Sequence, residues 1–237
     1  TNNGDVTVND AATLLSAQSV NGSVSVLQIK NNATAATNNG SIKLERIGGR
    51  AIARSQNGPV TVNDVGGDTE AGSIGDNITV TNAHGLVTAN TVGGGIVVRR
   101  AEGGVRAKTV SGKVEISDTR GRIEASSVSD SIVLRNVQSP GVVASCVSSS
   151  VRFGGMLASD GVYNFSSTSG DIVLSLPPDS NFRLTAKSST GSINTDFPCQ
   201  LNSTVSSREI RCTVGSGGAE VRASSFSGSV QIRKISK

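Results

Sequence analysis

The sequence predicts an all-β chain folded as a right-handed parallel β-solenoid (β-helix) of about twelve coils, mostly of 18 residues, with a C-terminal hairpin insertion. Three observations predict it. Aliphatic residues and an alanine recur at a fixed spacing of eighteen, glycine occupies 28 of 237 positions, and aromatics make up only 3% with no Trp. So few large side chains cannot fill a thick core, so the interior must be a thin seam of Val, Ile, Leu and Ala.

Self-similarity at a fixed period decides the fold before local propensity does. Segments of the form Gly-x-Val/Ile-x-Val/Ile/Leu place Val6, Val24, Ile42, Val60, Ile78, Ile96, Val114 and Ile132 eighteen apart, each with an apolar partner two residues on. A second column, Ala17, Ala35, Ala53, Ala71, Ala89, Ala107 and Ala125, keeps the same spacing and forms a structural ladder. Within one coil the inward positions Val114, Ile116, Thr119, Ile123, Ala125 and Val128 step by two inside strands and by more at turns. Each coil therefore has two short strands and two corners. Aligned columns require parallel pairing between coils at about 4.8 Å, and the handedness of parallel crossovers makes the solenoid right-handed.

One corner carries Gly4, Gly22, Gly40, Gly58, Gly94, Gly112, Gly170, Gly191 and Gly228, with Asp76 and Asp130 in two coils. Gly, Asn and Asp accept positive φ, which predicts left-handed backbone there. Before that corner runs a column of small polar residues, among them Ser19, Thr37, Ser55, Thr91, Thr109, Cys146, Ser188 and Ser225, whose hydroxyls can bond from coil to coil. Cys146 reads as a small filler in it.

The chain reads as a single solenoid domain, 1–237. Regular coils occupy 1–147, looser coils of 19–21 residues 148–196, a hairpin insertion 197–215, and a closing coil or cap 216–237. In the hairpin, Cys199 and Cys212 would face each other, either as a disulfide or as two separate thiols. A bond would indicate an oxidising compartment.

The repeated unit has relatives. Thr109-Val110-Ser111-Gly112-Lys113-Val114-Glu115-Ile116, Ser189 to Pro198 and Ser225 to Ile232 resemble the T-x-S-G-x-[IV]-x-[IVL] unit and closing segments of the bacterial adhesin-type domain family DUF4097. The resemblance implies a β-solenoid that is exported or membrane-tethered and serves adhesion. It supplies no catalytic residues.

Charge and motifs narrow the function classes. Net charge is +4 with 17% charged residues and no run of like charge, too dilute for a nucleic-acid footprint. No stretch of eighteen apolar residues exists, and Thr1-Asn2-Asn3-Gly4 is no signal peptide. The chain reads as an excised or processed fragment, with any membrane tether outside it. A polysaccharide-active β-helix enzyme would need clustered carboxylates beside a cleft, whereas the outward positions Thr7, Ser25, Lys43, Thr61, Thr79, Val97 and Glu115 make no acidic cluster. Arg106 and Glu124 would stack as a surface pair contributing about 1 kcal/mol at most. His84 before Gly85 reads as a turn residue, and one imidazole without a Cys or carboxylate cluster makes no zinc site. Asp10, Asp64 and Asp118 share a column, but Gln28, Arg46, Asn82 and Arg100 interrupt it, unlike a calcium-binding roll. A hexapeptide helix would bury Gln18, and an ice-binding Thr ladder is spoiled by Lys43, Glu115 and Arg152. Arg99, Arg100, Arg120 and Arg122 are the densest basic spots and form at most a weak anionic-ligand patch.

The sequence thus predicts no catalytic residues, no metal and no cofactor. The leading expectation is a non-catalytic extracytoplasmic scaffold or adhesin-like binding module, periplasmic or at the bacterial cell surface, presenting flat β-faces to a protein or glycan partner. The alternative is a self-assembling module stacking end to end. The expected state is a monomer or such an end-to-end assembly.

Overall fold

The computed structural model describes residues 1–201 and 208–235. Where the periodicity predicts one domain, contacts group the chain into two compact units, Thr1–Glu115 and Ile116–Lys237.

Unit one alternates between two rows of strands. The first row holds β1 (Val6–Ala11), β3 (Val24–Ile29), β5 (Ile42–Ile47), β7 (Val60–Val65), β9 (Ile78–Ala83) and β11 (Ile96–Ala101). The second holds β2 (Leu15–Ser19), β4 (Ala33–Asn39), β6 (Ala51–Asn57), β8 (Thr69–Ser73), β10 (Val87–Asn90) and β12 (Val105–Thr109). β13 (Val114–Ser117) spans the division. Each strand pairs in parallel with its counterpart one coil on, so Val6 meets Val24, Val24 meets Ile42, and Ile42 meets Val60. Ala17, Ala35, Ala53, Ala71, Ala89 and Ala107 follow one another in register through the second row. The ladder alanines, Ala125 included, are at most 4% exposed. The interior is as thin as the composition requires: aliphatics of one row face alanines of the other, and β-branched side chains suit the pleated surface. Each fully buried Ile or Leu stabilises by about 1.5–3 kcal/mol, and the flanking coils supply its contacts.

The corners differ from expectation in an instructive way. The glycines of the Gly column do not adopt positive φ; that conformation belongs to the opposite column, Asp10, Gln28, Arg46, Asp64, Asn82, Arg100, Asp118 and Asn136, at φ 50–57°. Glycine is required for a different reason, the close approach of the preceding coil. A Cβ on Gly58 would lie 2.1 Å from the Gly40 carbonyl oxygen, and one on Gly112 2.0 Å from that of Gly94. The same carbonyl accepts a hydrogen bond from the hydroxyl column: Thr37 Oγ1 donates to Gly22 O (2.8 Å), Ser55 Oγ to Gly40 O (3.0 Å) and Thr109 Oγ1 to Gly94 O (2.9 Å). A bare carbonyl directed into the half-buried bend is satisfied by the next coil's hydroxyl, which ties the two columns together. Outside this bend, Asn21 Nδ2 donates to Asn3 Oδ1, Asn39 to Asn21 and Asn57 to Asn39 at 2.8–3.0 Å, an amide ladder on the exposed rim.

Unit two begins regularly and ends out of order. β14 (Ile123–Ser127) is followed by two long strands, β15 (Ile132–Cys146) and β16 (Val151–Ser167), each running through a corner. The register between them shifts at Leu134/Val137 and Ser139/Gly141, which absorbs the extra residues of the longer coils. Phe153, Phe165 and Tyr163 fill the wider interior, with ring centroids 5.3 Å and 6.0 Å apart. The Tyr163 hydroxyl donates to Ser139 O (2.5 Å) and accepts from Ala158 N (2.8 Å), and its burial raises its pKa. Cys146 takes the hydroxyl's place against Asp130 O at 3.2 Å, and burial pushes its thiol up.

Beyond β16 lie β17 (Ile172–Leu176), β18 (Phe182–Ser188), β19 (Ile193–Thr195), β20 (Gln200–Leu201), β21 (Glu209–Val214), β22 (Ala219–Ser225) and β23 (Val230–Lys234). β22 lies between β16 and β18, parallel to both, and β23 between β17 and β19. The closing coil expected at 216–237 therefore has its strands, Ala219–Ser225 and Val230–Lys234, one layer inside the stack. The segment from β17 to β18, Pro177 to Asn181, climbs past a layer that the last strands later fill. The hairpin expected at 197–215 is the antiparallel pair β20 and β21, with β21 also antiparallel to β18. Cys199 and Cys212 are joined in a disulfide. The strands make about nine turns of about eighteen residues, where the periodicity predicts about twelve coils.

Candidate functional site

A groove of mixed chemistry in unit one comes from the outward positions of its second row. Between the alanine ladder and the hydroxyl column, Ala36, Arg54, Gly72 and Asn90 stand in register on successive coils. Two of these are small. Gly72 leaves a gap in the strand surface, and its missing Cβ would meet nothing nearer than Arg54 Cγ at 3.9 Å. A groove of about 480 Å³ opens there, with Asn38, Gln56 and Ile74 along its corner and Glu70 at its side.

Charge in the groove is fixed by one acid between two bases. Arg54 Nη2 donates to Glu70 Oε1, and Arg50 Nη2 donates to Glu70 Oε2 at 2.9 Å. The Arg54 hydrogen bond is the main cause that holds the Glu70 carboxyl below its ordinary range, against the opposing effect of burial. Ile74 is 55% exposed, and Val92 and Val110 repeat its position on the next two coils. Guanidinium, carboxylate, side-chain amides and an aliphatic edge thus meet in one open depression. It can accept and donate hydrogen bonds while covering an apolar face.

A second depression in unit one, about 420 Å³, follows the left-handed corner and is lined by Asp10, Gln28, Lys30, Arg46 and Asp64. The aspartates considered for calcium share this corner because the backbone demands residues that tolerate positive φ. Their side chains serve neighbouring turns: Asn82 Nδ2 donates to Asp64 Oδ1 (2.8 Å) and Asn136 Nδ2 to Asp118 Oδ1 (2.6 Å). Among the described residues no group of three His, Cys, Asp or Glu side chains could hold a metal ion. His84 is exposed at a corner, its Nδ1 donating to Val65 O at 3.2 Å.

The predicted basic residues fall in both units. Arg99 and Arg100 are exposed at the end of β11, with Arg100 Nε donating to Asn82 Oδ1. Arg120 and Arg122, also exposed, belong to unit two, where Arg120 bridges to Gln138 and the Arg122 guanidinium lies beside Gly141. The groove around Gly72 escaped sequence reasoning. Its one signal is a glycine inside a strand, away from both corner columns, which marks a place where another group can approach.

Residues 132–233 match the family model described as Toastrack DUF4097. That segment is similar to the DUF4097 family, and the chain is a β-solenoid. No curated protein and no solved structure matches it. The DUF4097 match lies wholly within unit two and includes the long strands, the disulfide and the interleaved C-terminal coil. The regular coils of unit one lie outside the matched residues.

Proposed function

We propose that this DUF4097-like solenoid is a non-catalytic extracytoplasmic binding module, and that the groove around Gly72 receives a polar partner surface, a glycan in preference to a peptide. The observation that carries the reading is the composition of that groove. Its amides, guanidinium and carboxylate supply both donors and acceptors, and Ile74 offers an apolar edge of the kind a sugar ring's C–H face covers. The groove is shallow and open, which suits a segment of a longer chain. The disulfide in the hairpin agrees with an oxidising, extracytoplasmic setting.

A glycan array followed by titration calorimetry tests it. Gly72→Leu places a bulky side chain in the depression from a position where a Cβ meets no backbone, and Arg54→Ala removes its guanidinium. Both are expected to lower affinity at least tenfold while circular dichroism stays unchanged. A glycan bound equally by wild type and Gly72→Leu would place the contact elsewhere, and retention of a protein instead of any glycan would replace the ligand class. Particles that lengthen with concentration in light scattering would move the reading to end-to-end assembly.

A further inference from the structure

The C-terminal coil of unit two is held in a slot that the rest of the unit already defines on both sides. β22 takes its partners from β16 (Tyr163 to Val221, Ser167 to Ser225) and from β18 (Leu184 to Val221, Ser188 to Ser225). β23 is flanked by Ile172 of β17 and Ile193 of β19, both opposite Val230. Corner bonds are made in both directions: Ser225 Oγ donates to Gly170 O (3.0 Å), and Ser188 Oγ donates to Gly228 O (2.9 Å). The inward side chains Val221, Ala223, Val230 and Ile232 are buried. Without this coil the slot would present two rows of unpaired strand edges and an apolar seam on each side, complementary to one specific sequence pattern.

The link that brings the coil to its slot is short and tightly folded. From Val214, beside Phe182 on one edge of β18, the chain crosses to Ala219, beside Phe182 on the other edge. The four intervening residues include Gly215, Gly217 and Gly218 at φ +60°, +77° and +119°. A Cβ on Gly215 would overlap Asn181 Oδ1, which accepts from Ser216 N at 3.0 Å. A short, sharply turned hinge next to a self-contained element is the arrangement from which chains exchange identical parts.

We propose that β22 and β23 form an exchangeable coil, which in one copy of the chain can fill the slot of a second copy, giving a reciprocal, closed dimer. Every contact made in the slot is available unchanged from a second copy, and only the 215–218 link favours the coil's own molecule. An extended link from Val214 to Ala219 reaches about 17 Å, so the two slots stand close together and the exchange closes on itself. Intramolecular filling prevails in dilute solution because a short link gives a high effective concentration. Exchange is therefore expected when chains fold at high concentration. The proposal is independent of the groove in unit one.

Asn164 of β16 and Arg222 of β22 are register partners, and both side chains lie outside the core. Asn164→Cys and Arg222→Cys, placed on separate chains, are mixed, unfolded, refolded together at graded concentrations and mildly oxidised. The expected result is an interchain disulfide between the two substituted positions, identified by mass spectrometry of the cross-linked peptides and increasing at least tenfold in yield from dilute to concentrated refolding. With both substitutions on one chain, the same bond is expected within the monomer in dilute solution. Internal bonding at every concentration without interchain bonding in the mixture overturns the proposal. Light scattering on the unmodified refolded protein decides independently of the cysteines: a dimer that survives dilution supports exchange, whereas monomer throughout, or a dimer that dissociates at once, overturns it.

Discussion

Thr69 stands in a column otherwise filled by Ala33, Ala51, Val87 and Val105, and its buried Oγ1 has no hydrogen-bond partner. A hydroxyl buried without a partner costs more than it returns. Thr69→Val keeps the shape and is expected to stabilise the protein by about 1 kcal/mol in chemical denaturation. Glycines divide by environment. Gly58→Ala drives a methyl group into the Gly40 carbonyl and is expected to destabilise by about 3 kcal/mol, whereas Gly72→Ala, whose methyl group meets only Arg54 Cγ at ordinary contact distance, is expected to change stability by less than about 1 kcal/mol. Glu70 links the same surface to pH. Its folded pKa lies below the ordinary value of 4.5, so its stabilising effect is present at neutral pH and disappears as pH falls through the depressed value. Glu70→Gln is therefore expected to be less stable than wild type at pH 7, by at most about 1 kcal/mol, and equally stable once the carboxylate is protonated. Equal stability at pH 7 would show that the Arg50 and Arg54 pairs contribute nothing measurable.

At the scale of the element, strands of the first row could be read directly because an apolar pair such as Ile42 and Leu44 alternates with outward Lys43 and sits on a fixed period. The alanine ladder was legible for the same reason. Backbone conformation at the corners was less so: glycine's two uses, left-handed φ and close approach, leave the same letter in a sequence, and Asp76, Asp130 and Ser149 interrupt the column. The left-handed column was hidden by its variety, since Arg46 and Gln28 occupy φ positions more often held by Asn, Asp or Gly. The hairpin was legible from its two cysteines and the break in period. Closing a loop of sequence separation 13, the disulfide stabilises by about 3 kcal/mol through the unfolded state. Reduction, or Cys199→Ser with Cys212→Ser, is expected to lower the midpoint of thermal unfolding measured by calorimetry; an unchanged midpoint would mean that β21 is held by its pairing with β18 and β20 without help from the disulfide.

For the molecule as a whole, the period established the class of fold and failed where neighbours in space stop being neighbours in sequence. The 37-residue gap between Ile193 and Val230 says that a coil was missed, yet spacing alone has no means of stating that the later coil enters below the earlier one. The candidate groove was illegible for a related reason, since it depends on side chains absent at Ala36 and Gly72 and on which coils flank them. The interleaving makes a strong prediction about truncation. Removing residues after Gly215 deletes an inner layer, leaving β18 without a parallel partner and β17 without β23. The shortened chain is expected to lose the native proton-exchange protection of β18 and β19 together, with β17 still paired to β16, where loss of a terminal layer would affect only its immediate neighbour.

That inner layer also sets a timetable for biosynthesis. A ribosome delivers β18, β19 and the disulfide-bearing hairpin before it delivers β22 and β23, so each nascent chain passes through an interval in which β17 can pair with β16 while β18 and β19 still lack their parallel partners. The hairpin cysteines can meet an oxidant during that interval, ahead of native docking. Cells making this protein must keep the exposed edges of neighbouring nascent chains apart until β23 has been delivered.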